Sequence, residues 1–170
     1  MNITTPCAFA WCLWAGTALA FEATFADPRW DGETVPAGQQ CQRFGGDHPG
    51  TPALHVTGIP AGTGALVLEF SDRSYPPMND GGHGRIGWRI APGSAEVTVP
   101  SAPGHSFELP DGFFIVEAHR APGYDTAGAY MPPCSGGKGN LYAVTVKAVR
   151  DPGAPQAAVL GETVLDLGRY

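Results

Sequence analysis

The sequence is poor in charge, and the charge that it has is spread thinly along the chain. Charged residues make up 15% of the 170 residues, and the formal net charge is −6. The lysines and arginines stand singly, so no basic cluster is present to neutralise the phosphates of a nucleic acid. We therefore expect no nucleic-acid partner.

Long apolar runs and helical patterns are also scarce. Beyond the N-terminus no apolar run is long enough to span a bilayer, so we expect no stable membrane anchor. The best helix candidate, residues 154–162, is short and interrupted by Gly161. A G-x-S-x-G nucleophile elbow is missing, which removes one common sign of a hydrolase.

The first 20 residues contain no charged side chain. Their apolar centre, residues 8–14, is followed by small residues that end at Ala20. This order predicts a secretory signal peptide over residues 1–20, although the usual basic residue near its start is missing. An uncleaved anchor is the alternative, and the shortness of the run disfavours it. We expect a periplasmic or secreted protein with one domain over residues 21–170.

Four cysteines are present, and cleavage after Ala20 would remove two of them. The remaining pair, Cys41 and Cys134, predicts a disulfide in an exported protein. It would close a loop of roughly 90 residues, worth about 4 kcal/mol on a chain-entropy estimate. Two separate buried thiols are the alternative. A metal site on these cysteines is not expected, because no histidine stands at a typical ligand spacing.

Strand and turn chemistry is what the sequence has in plenty. Glycine (24) and proline (17) are abundant and separate short apolar runs. Leu66, Leu68 and Phe70 alternate with less apolar neighbours, which is the period of a strand with one buried face. The predicted strands are residues 53–59, 64–70, 85–91, 96–99, 113–119, 141–149 and 163–170. They predict a mostly β, antiparallel sandwich or barrel with little helix.

Two loops rich in proline and glycine adjoin these strands and carry polar side chains. The first lies in residues 70–88, FSDRSYPPMNDGGHGRIGW, and the second in residues 128–149, GAYMPPCSGGKGNLYAVTVKAV. Loops at sheet ends are common binding sites because the sheet holds them in place. For the first stretch, a plain surface loop whose Asp72 accepts backbone N–H bonds is an equal alternative.

Histidines are the remaining candidates for chemistry, and the five of them are scattered. His48 and His83 each follow an aspartate closely and could each be half of a metal site. His55 and His119 fall inside predicted strands, which favours half-exposed positions. We expect neither a functional metal nor a cofactor.

Together, the two loops resemble the phosphatidylethanolamine-binding protein family, in its bacterial secreted branch. Residues 41–68, CQRFGGDHPGTPALHVTGIPAGTGALVL, are similar to the family stretch C-D-G…S-P-P-L-x-W-x-G-V-P-x-G-T-x-S-L-A-L. The family's D-P-D-x-P corresponds to residues 72–76, and its His-Trp pair to Gly87 and Trp88. Its proline-rich loop around a cysteine and its H-R-Y motif correspond to residues in the range 132–142.

The resemblance covers most of residues 35–170 and implies a fold and a site. The implied fold is an antiparallel β-sandwich of two sheets and Greek-key type. The implied site is a small anion pocket at one sheet end, and both cysteines fall where bacterial members also carry Cys. The candidate ligand-binding residues are Asp72, Tyr75, Pro76, Trp88, Pro133, Asn140 and Tyr142.

The sequence departs from the family where charge matters. Gly87 and Asn140 stand in place of the two family histidines, and Ser74 in place of the second Asp. An anion would then gain only neutral hydrogen bonds, which are about half as strong as charge-assisted ones. His83 or Lys138 could supply a replacement cation. An apolar run between Trp88 and Tyr130 could reshape the pocket rim.

Three functions are consistent with these observations. The first is a secreted, non-enzymatic module that binds a small molecule or anion, with a neutral or cationic ligand now suiting the pocket better than phosphate. The second is a protein-interaction or protease-inhibitor-like module that uses the 72–88 loop and needs an exposed apolar patch at Tyr75–Met78. The third, a metal-assisted hydrolase using Asp72, Asp80 and His83, needs two histidines near Asp72. We favour the first, as a monomer or weak dimer.

Overall fold

The computed structural model describes residues 19–153 and 157–170. Its strands are β1 (Glu22–Phe25), β2 (Leu54–Thr57), β3 (Ala65–Asp72), β4 (Arg85–Arg89), β5 (Val97–Val99), β6 (Phe113–Glu117), β7 (Leu141–Val149) and β8 (Val159–Arg169). Two 3₁₀ turns, Gln42–Phe44 and Pro76–Met78, are the helical elements of this part of the chain. None of the helices described is long and apolar enough to cross a membrane. The predicted signal peptide lies outside the described residues except for its last two positions.

The strands form two antiparallel sheets. The smaller sheet has the order β1-β2-β5, and the larger has the order β6-β4-β3-β7-β8. In the larger sheet β7 returns to lie beside β3, on the side opposite to β4 and β6, which is the Greek-key order. The predicted mostly β fold with two antiparallel sheets is confirmed.

The core lies between the sheets and is formed by alternate residues of each strand. Leu66, Leu68 and Phe70 of β3 are at most 1% exposed, as their period of two predicts. Val56 of β2 and Val99 of β5 are fully buried in the same cluster. Each of these side chains contributes about 1.5–3 kcal/mol through burial.

The outer face of the larger sheet carries an ion-pair network. Glu69 of β3 accepts hydrogen bonds from Arg85 Nε at 2.7 Å and from Lys147 Nζ at 3.2 Å. Burial alone would raise the pKa of the Glu69 carboxyl, but the two cations outweigh it and hold that pKa below its usual value. Arg85 also pairs with Glu117 of β6. The network therefore links β6, β4, β3 and β7.

Two sequence predictions about elements are wrong. The weak helix candidate at residues 154–162 is contradicted where β8 begins at Val159, and its residues 154–156 lie outside the described part. Pairing with β7 overrides the weak helical pattern, since Lys147 faces Glu162 in an antiparallel ladder. The strand predicted to 119 ends at Glu117, so the half-exposed strand position expected for His119 is instead a buried loop position.

The other predicted strands are confirmed, with ends that differ by up to two residues before β8 and four at its start. His55 has the half-exposed position in β2 that the sequence predicts. Strand β1 was not predicted, although Phe21, Ala23 and Phe25 alternate and pack against the core. Its pairing with β2 explains why so short a segment forms a strand.

Candidate functional site

A cavity of about 610 Å³ opens at the end of the larger sheet, where β3 ends and β7 begins. Its walls come from three connections between strands, which contribute residues within 72–83, 120–124 and 131–142. The sheet fixes the base of the cavity and the loops form its sides, as is usual for a binding site built on a β scaffold.

The register of two strands places a carboxylate beside a phenol at the base. Asp72, the last residue of β3, lies directly opposite Tyr142 of β7. Both residues are buried, at 4% and 2% exposure. Asp72 Oδ1 accepts the Ser74 N–H at 2.9 Å, and Asp72 Oδ2 accepts the Asn140 side-chain amide at 2.6 Å. Neutral donors thus hold the carboxylate in a fixed orientation.

The hydroxyl of Tyr142 is protonated throughout the physiological range. Burial, together with the neighbouring Asp72 carboxylate, raises the pKa of Tyr142 to about 12, although hydrogen bonds from Ser135 and Cys134 act in the opposite direction. The Cys134 N–H donates to the Tyr142 hydroxyl at 3.0 Å. Tyr142 is therefore a positioned neutral group rather than a charged one.

His83 forms part of the wall as a neutral imidazole. Its Nδ1 lies 2.7 Å from the Met131 carbonyl oxygen, which can only accept, so Nδ1 carries the hydrogen. Burial lowers the pKa of His83 to about 4, and the Met131 carbonyl and the Asp72 charge offset this only in part. At pH 7 the ring carries no charge.

A glycine next to His83 allows this arrangement. Gly84 has φ +114°, and a Cβ there would lie 2.0 Å from the Ala129 carbonyl oxygen. Only glycine lets the chain enter β4 this close to the segment that carries Met131. The close approach brings the His83 ring and its carbonyl partner together.

The wall formed by residues 120–124 is held in place by residues that do not line the cavity. The Arg43 guanidinium lies 4.4 Å from the centre of the Tyr124 ring and donates to the Tyr124 carbonyl at 2.8 Å. His105 Nε2 and Asp125 Oδ2 lie 2.6 Å apart, with both side chains almost fully buried. These contacts fix the wall although it contains no regular secondary structure.

No family model and no curated protein matches the sequence. Among solved structures, Escherichia coli YbcL, described as a new member of the mammalian PEBP family, matches with a TM-score of 0.58. The match covers 88% of this chain and 97% of that chain, at 17% sequence identity. This chain has the PEBP fold. The architecture implied by the sequence resemblance is confirmed, and at this identity the site must be argued from its own residues.

Within the PEBP fold, most of the predicted site residues come together. Asp72, Tyr75, Asn140 and Tyr142 line the cavity, as do both candidate cations, His83 and Lys138. His83, however, is neutral for the reason given above, so it does not replace a lost positive charge. Lys138 lies exposed at the rim.

Three predicted residues lie elsewhere. Pro76 is exposed at the start of a 3₁₀ turn, and Pro133 is buried behind the cavity, where its carbonyl accepts the Cys41 N–H. Trp88 lies opposite Leu66, far along β3 from Asp72. The correspondence of Gly87 and Trp88 with a His-Trp pair at the site is therefore wrong in placement.

The physical reason is the register of β4. This strand begins at Arg85, so Gly87 lies mid-strand, where a Cβ would meet the Phe114 ring at 2.0 Å. The histidine that lies just before β4, beside Asp72, is His83. The sequence predicts His83 at the site, but as a replacement cation.

The site also contains residues that the sequence reading missed. Met78 and Met131 form apolar parts of the wall, and Arg120, Ala121 and Tyr124 form its third side. The apolar run between Trp88 and Tyr130 was expected to reshape the rim, but nothing local marks which of its residues face the cavity. Their position depends on contacts with the distant 41–44 segment.

The disulfide prediction is confirmed. Cys41 and Cys134 are bonded across a sequence separation of 93 residues, with their Cα atoms 5.2 Å apart. Cys134 lines the cavity and donates its N–H to Tyr142, so the bridge holds the loop that positions this phenol. The open alternative of two separate thiols is removed.

The residues of the metal-hydrolase hypothesis do not form a metal-binding group in the described part of the chain. In residues 19–153 and 157–170, the group with metal-like proximity is Cys41, Asp125 and Cys134, and its two sulfurs are bonded to each other. Asp80 and Asp72 do not join His83 in such a group within the same residues. The geometry therefore gives that hypothesis no support.

Proposed function

We propose that this chain is a secreted or periplasmic, non-enzymatic module that binds a small molecule in the cavity at Asp72. The cavity itself carries the proposal: about 610 Å³ at a sheet end, with a buried carboxylate, a phenol and an imidazole converging on it. Apolar walls with a few convergent polar groups are typical of small-molecule sites. A monomer or weak dimer is sufficient, because one chain supplies every wall.

The protonation states support binding rather than turnover. General acid–base catalysis is most efficient when the catalytic pKa lies near the working pH. The pKa of His83 is about 4 and that of Tyr142 is about 12, so neither group changes its protonation state near neutral pH. Both act instead as fixed hydrogen-bonding groups.

A second candidate is a protein-interaction or protease-inhibitor-like module that uses the 72–88 loop. Tyr75 is 52% exposed at the mouth of the cavity, beside the exposed Pro76 and Pro77. Met78 is buried, so the apolar patch is smaller than the hypothesis needs. The cavity is therefore the better-supported surface.

Filling the cavity tests the proposal. Ala121→Trp places an indole in the space that a ligand would occupy, and Thr98→Trp places one on an exposed strand of the smaller sheet as the control. A fragment collection is screened by the rise in melting temperature that bound ligands produce. We expect fragments that stabilise the wild type and Thr98→Trp but not Ala121→Trp. Equal stabilisation of all three proteins would contradict the proposal.

A further inference from the structure

Asp72 is a buried carboxylate without a cationic partner. All ten lysines and arginines lie within the described residues, and none of the ion pairs there includes Asp72. Its hydrogen-bond donors, the Ser74 N–H and the Asn140 amide, are neutral. A buried charge is costly unless it is paired, so the protein holds here a charge that a ligand could complement.

We propose, resting on the proposed function, that the ligand carries a primary ammonium group and that Asp72 binds it. The carboxylate supplies the opposite charge and an oxygen that accepts an N–H hydrogen bond. The side chain of Asn140, which lines the same cavity, has an amide oxygen that accepts a second. An ammonium with three N–H donors uses such acceptors, whereas the negative charge of a phosphate is repelled by the Asp72 carboxylate.

The other walls suit a cation that carries a short apolar chain. Tyr75 and Tyr142 line the cavity, and the faces of aromatic rings attract cations. Met78 and Met131 add polarisable thioethers that pack against methylene groups. A charged histidine would repel an ammonium, and His83 is held in its neutral form, with Nδ1–H already donated to Met131.

The two cations at the rim, Arg120 and Lys138, leave Asp72 available to a cationic ligand. The Arg120 guanidinium is held by the carbonyl oxygens of Asn79 and Asp80 and by Glu117. Lys138 is exposed and sits between glycines with positive φ. In water the repulsion from an exposed lysine is strongly screened, so it does not close the cavity to a cation. It favours a ligand whose other end is neutral or acidic.

Three probes of similar shape separate the effect of ligand charge on affinity from that of ligand shape. They are n-butylammonium, n-butanol and n-butyrate. Their dissociation constants are measured by NMR titration on the processed chain, residues 21–170. We expect n-butylammonium to bind at least about tenfold more tightly than n-butanol, and n-butyrate to bind most weakly.

Asp72→Asn removes the charge with little change in shape, and Asp47→Asn removes an equal charge from an exposed side chain as the matched control. The preference for n-butylammonium should disappear in Asp72→Asn and persist in Asp47→Asn. If Asp72→Asn does not fold, the wild-type series decides alone. Lys138→Ala is expected to bind n-butylammonium at least as tightly as the wild type.

The outcomes distinguish this inference from the function on which it rests. Equal affinity for n-butanol, or tighter binding of n-butyrate, would overturn the ammonium proposal and leave a small-molecule site in place. An ammonium preference that survives in a folded Asp72→Asn would overturn the role of Asp72. Binding of none of the three probes, together with no effect of Ala121→Trp in the fragment screen, would overturn both.

Discussion

Protonation of His83, which lines the cavity, changes the stability of the fold. In the folded state the pKa of His83 is about 4, against 6.5 for a histidine side chain exposed to water, because burial disfavours the imidazolium. Between these two pH values the unfolded chain binds the proton and the folded chain does not. His83 therefore does not lower the free energy of unfolding above pH 6.5. Below that pH the free energy of unfolding decreases, by about 3 kcal/mol at pH 4.

Urea unfolding between pH 7 and pH 4 measures this loss. His83→Gln should flatten the decline, whereas His48→Gln, at a side chain that is 99% exposed, should leave it unchanged. Some decline should remain in His83→Gln, since burial also lowers the pKa of His119. An unaltered slope in His83→Gln would show that the ring is not buried in its neutral form.

At the residue scale the sequence predicts which residues form the site better than it predicts their protonation states. Asp72 is found because it follows a recognisable strand, and Asp72 and Tyr142 both correspond to motif residues of the family that the sequence resembles. The charge of His83 could not be foreseen, because the burial that neutralises it comes from the segment around Met131, far away along the chain.

At the scale of the element, the start of β4 depends on one glycine. A Cβ on Gly84 would lie 2.0 Å from the Ala129 carbonyl oxygen, while Gly93, also at positive φ, has open space around it. Both alanine variants therefore suffer from backbone strain, and only Gly84→Ala adds a collision with backbone. We expect Gly84→Ala to lower the free energy of unfolding by about 2 kcal/mol more than Gly93→Ala.

Thermal and urea unfolding of the two variants measures the difference. Because the collision displaces the chain next to His83, Gly84→Ala should also weaken n-butylammonium binding, and Gly93→Ala should not. Equal stabilities of the two variants would mean that β4 does not approach the 129–131 segment as closely as described.

Elements with an alternating pattern and clear turns are predictable from the sequence, as β3 and β7 show. The first four residues of β8 are not, because residues 154–162 have neither a strong helical nor a strong strand pattern. Their strand conformation is decided by pairing with β7, a tertiary contact that local propensity does not contain.

At the scale of the whole molecule, the disulfide joins the N-terminal loop to the cavity wall. Removing it with Cys41→Ala and Cys134→Ala should lower the free energy of unfolding by about 4 kcal/mol, on the chain-entropy estimate for so long a loop. Ligand binding should weaken too, because the Cys134 N–H positions the Tyr142 hydroxyl. Calorimetric melting and an n-butylammonium titration of the double variant check both effects; an unchanged melting temperature would contradict the first.

The whole fold was reachable from the sequence only through the resemblance of its loops to a known family. Composition and periodicity indicate two antiparallel layers, but a sandwich and a barrel share that signature. The position of the site within the fold depends on strand register, and an error in the register of β4 was enough to place Trp88 at the cavity, although Trp88 lies opposite Leu66.

The central claim is that the cavity at Asp72 binds a small molecule that carries a primary ammonium group, and the methionines allow a direct test. The chain has three methionines, and Met78 and Met131, the two beyond the predicted signal peptide, both line the cavity. In processed protein labelled with ¹³C at the methionine methyl groups, a titration with n-butylammonium should shift both signals along one saturable curve. Signals that stay still, or that move linearly without saturation, would contradict the account.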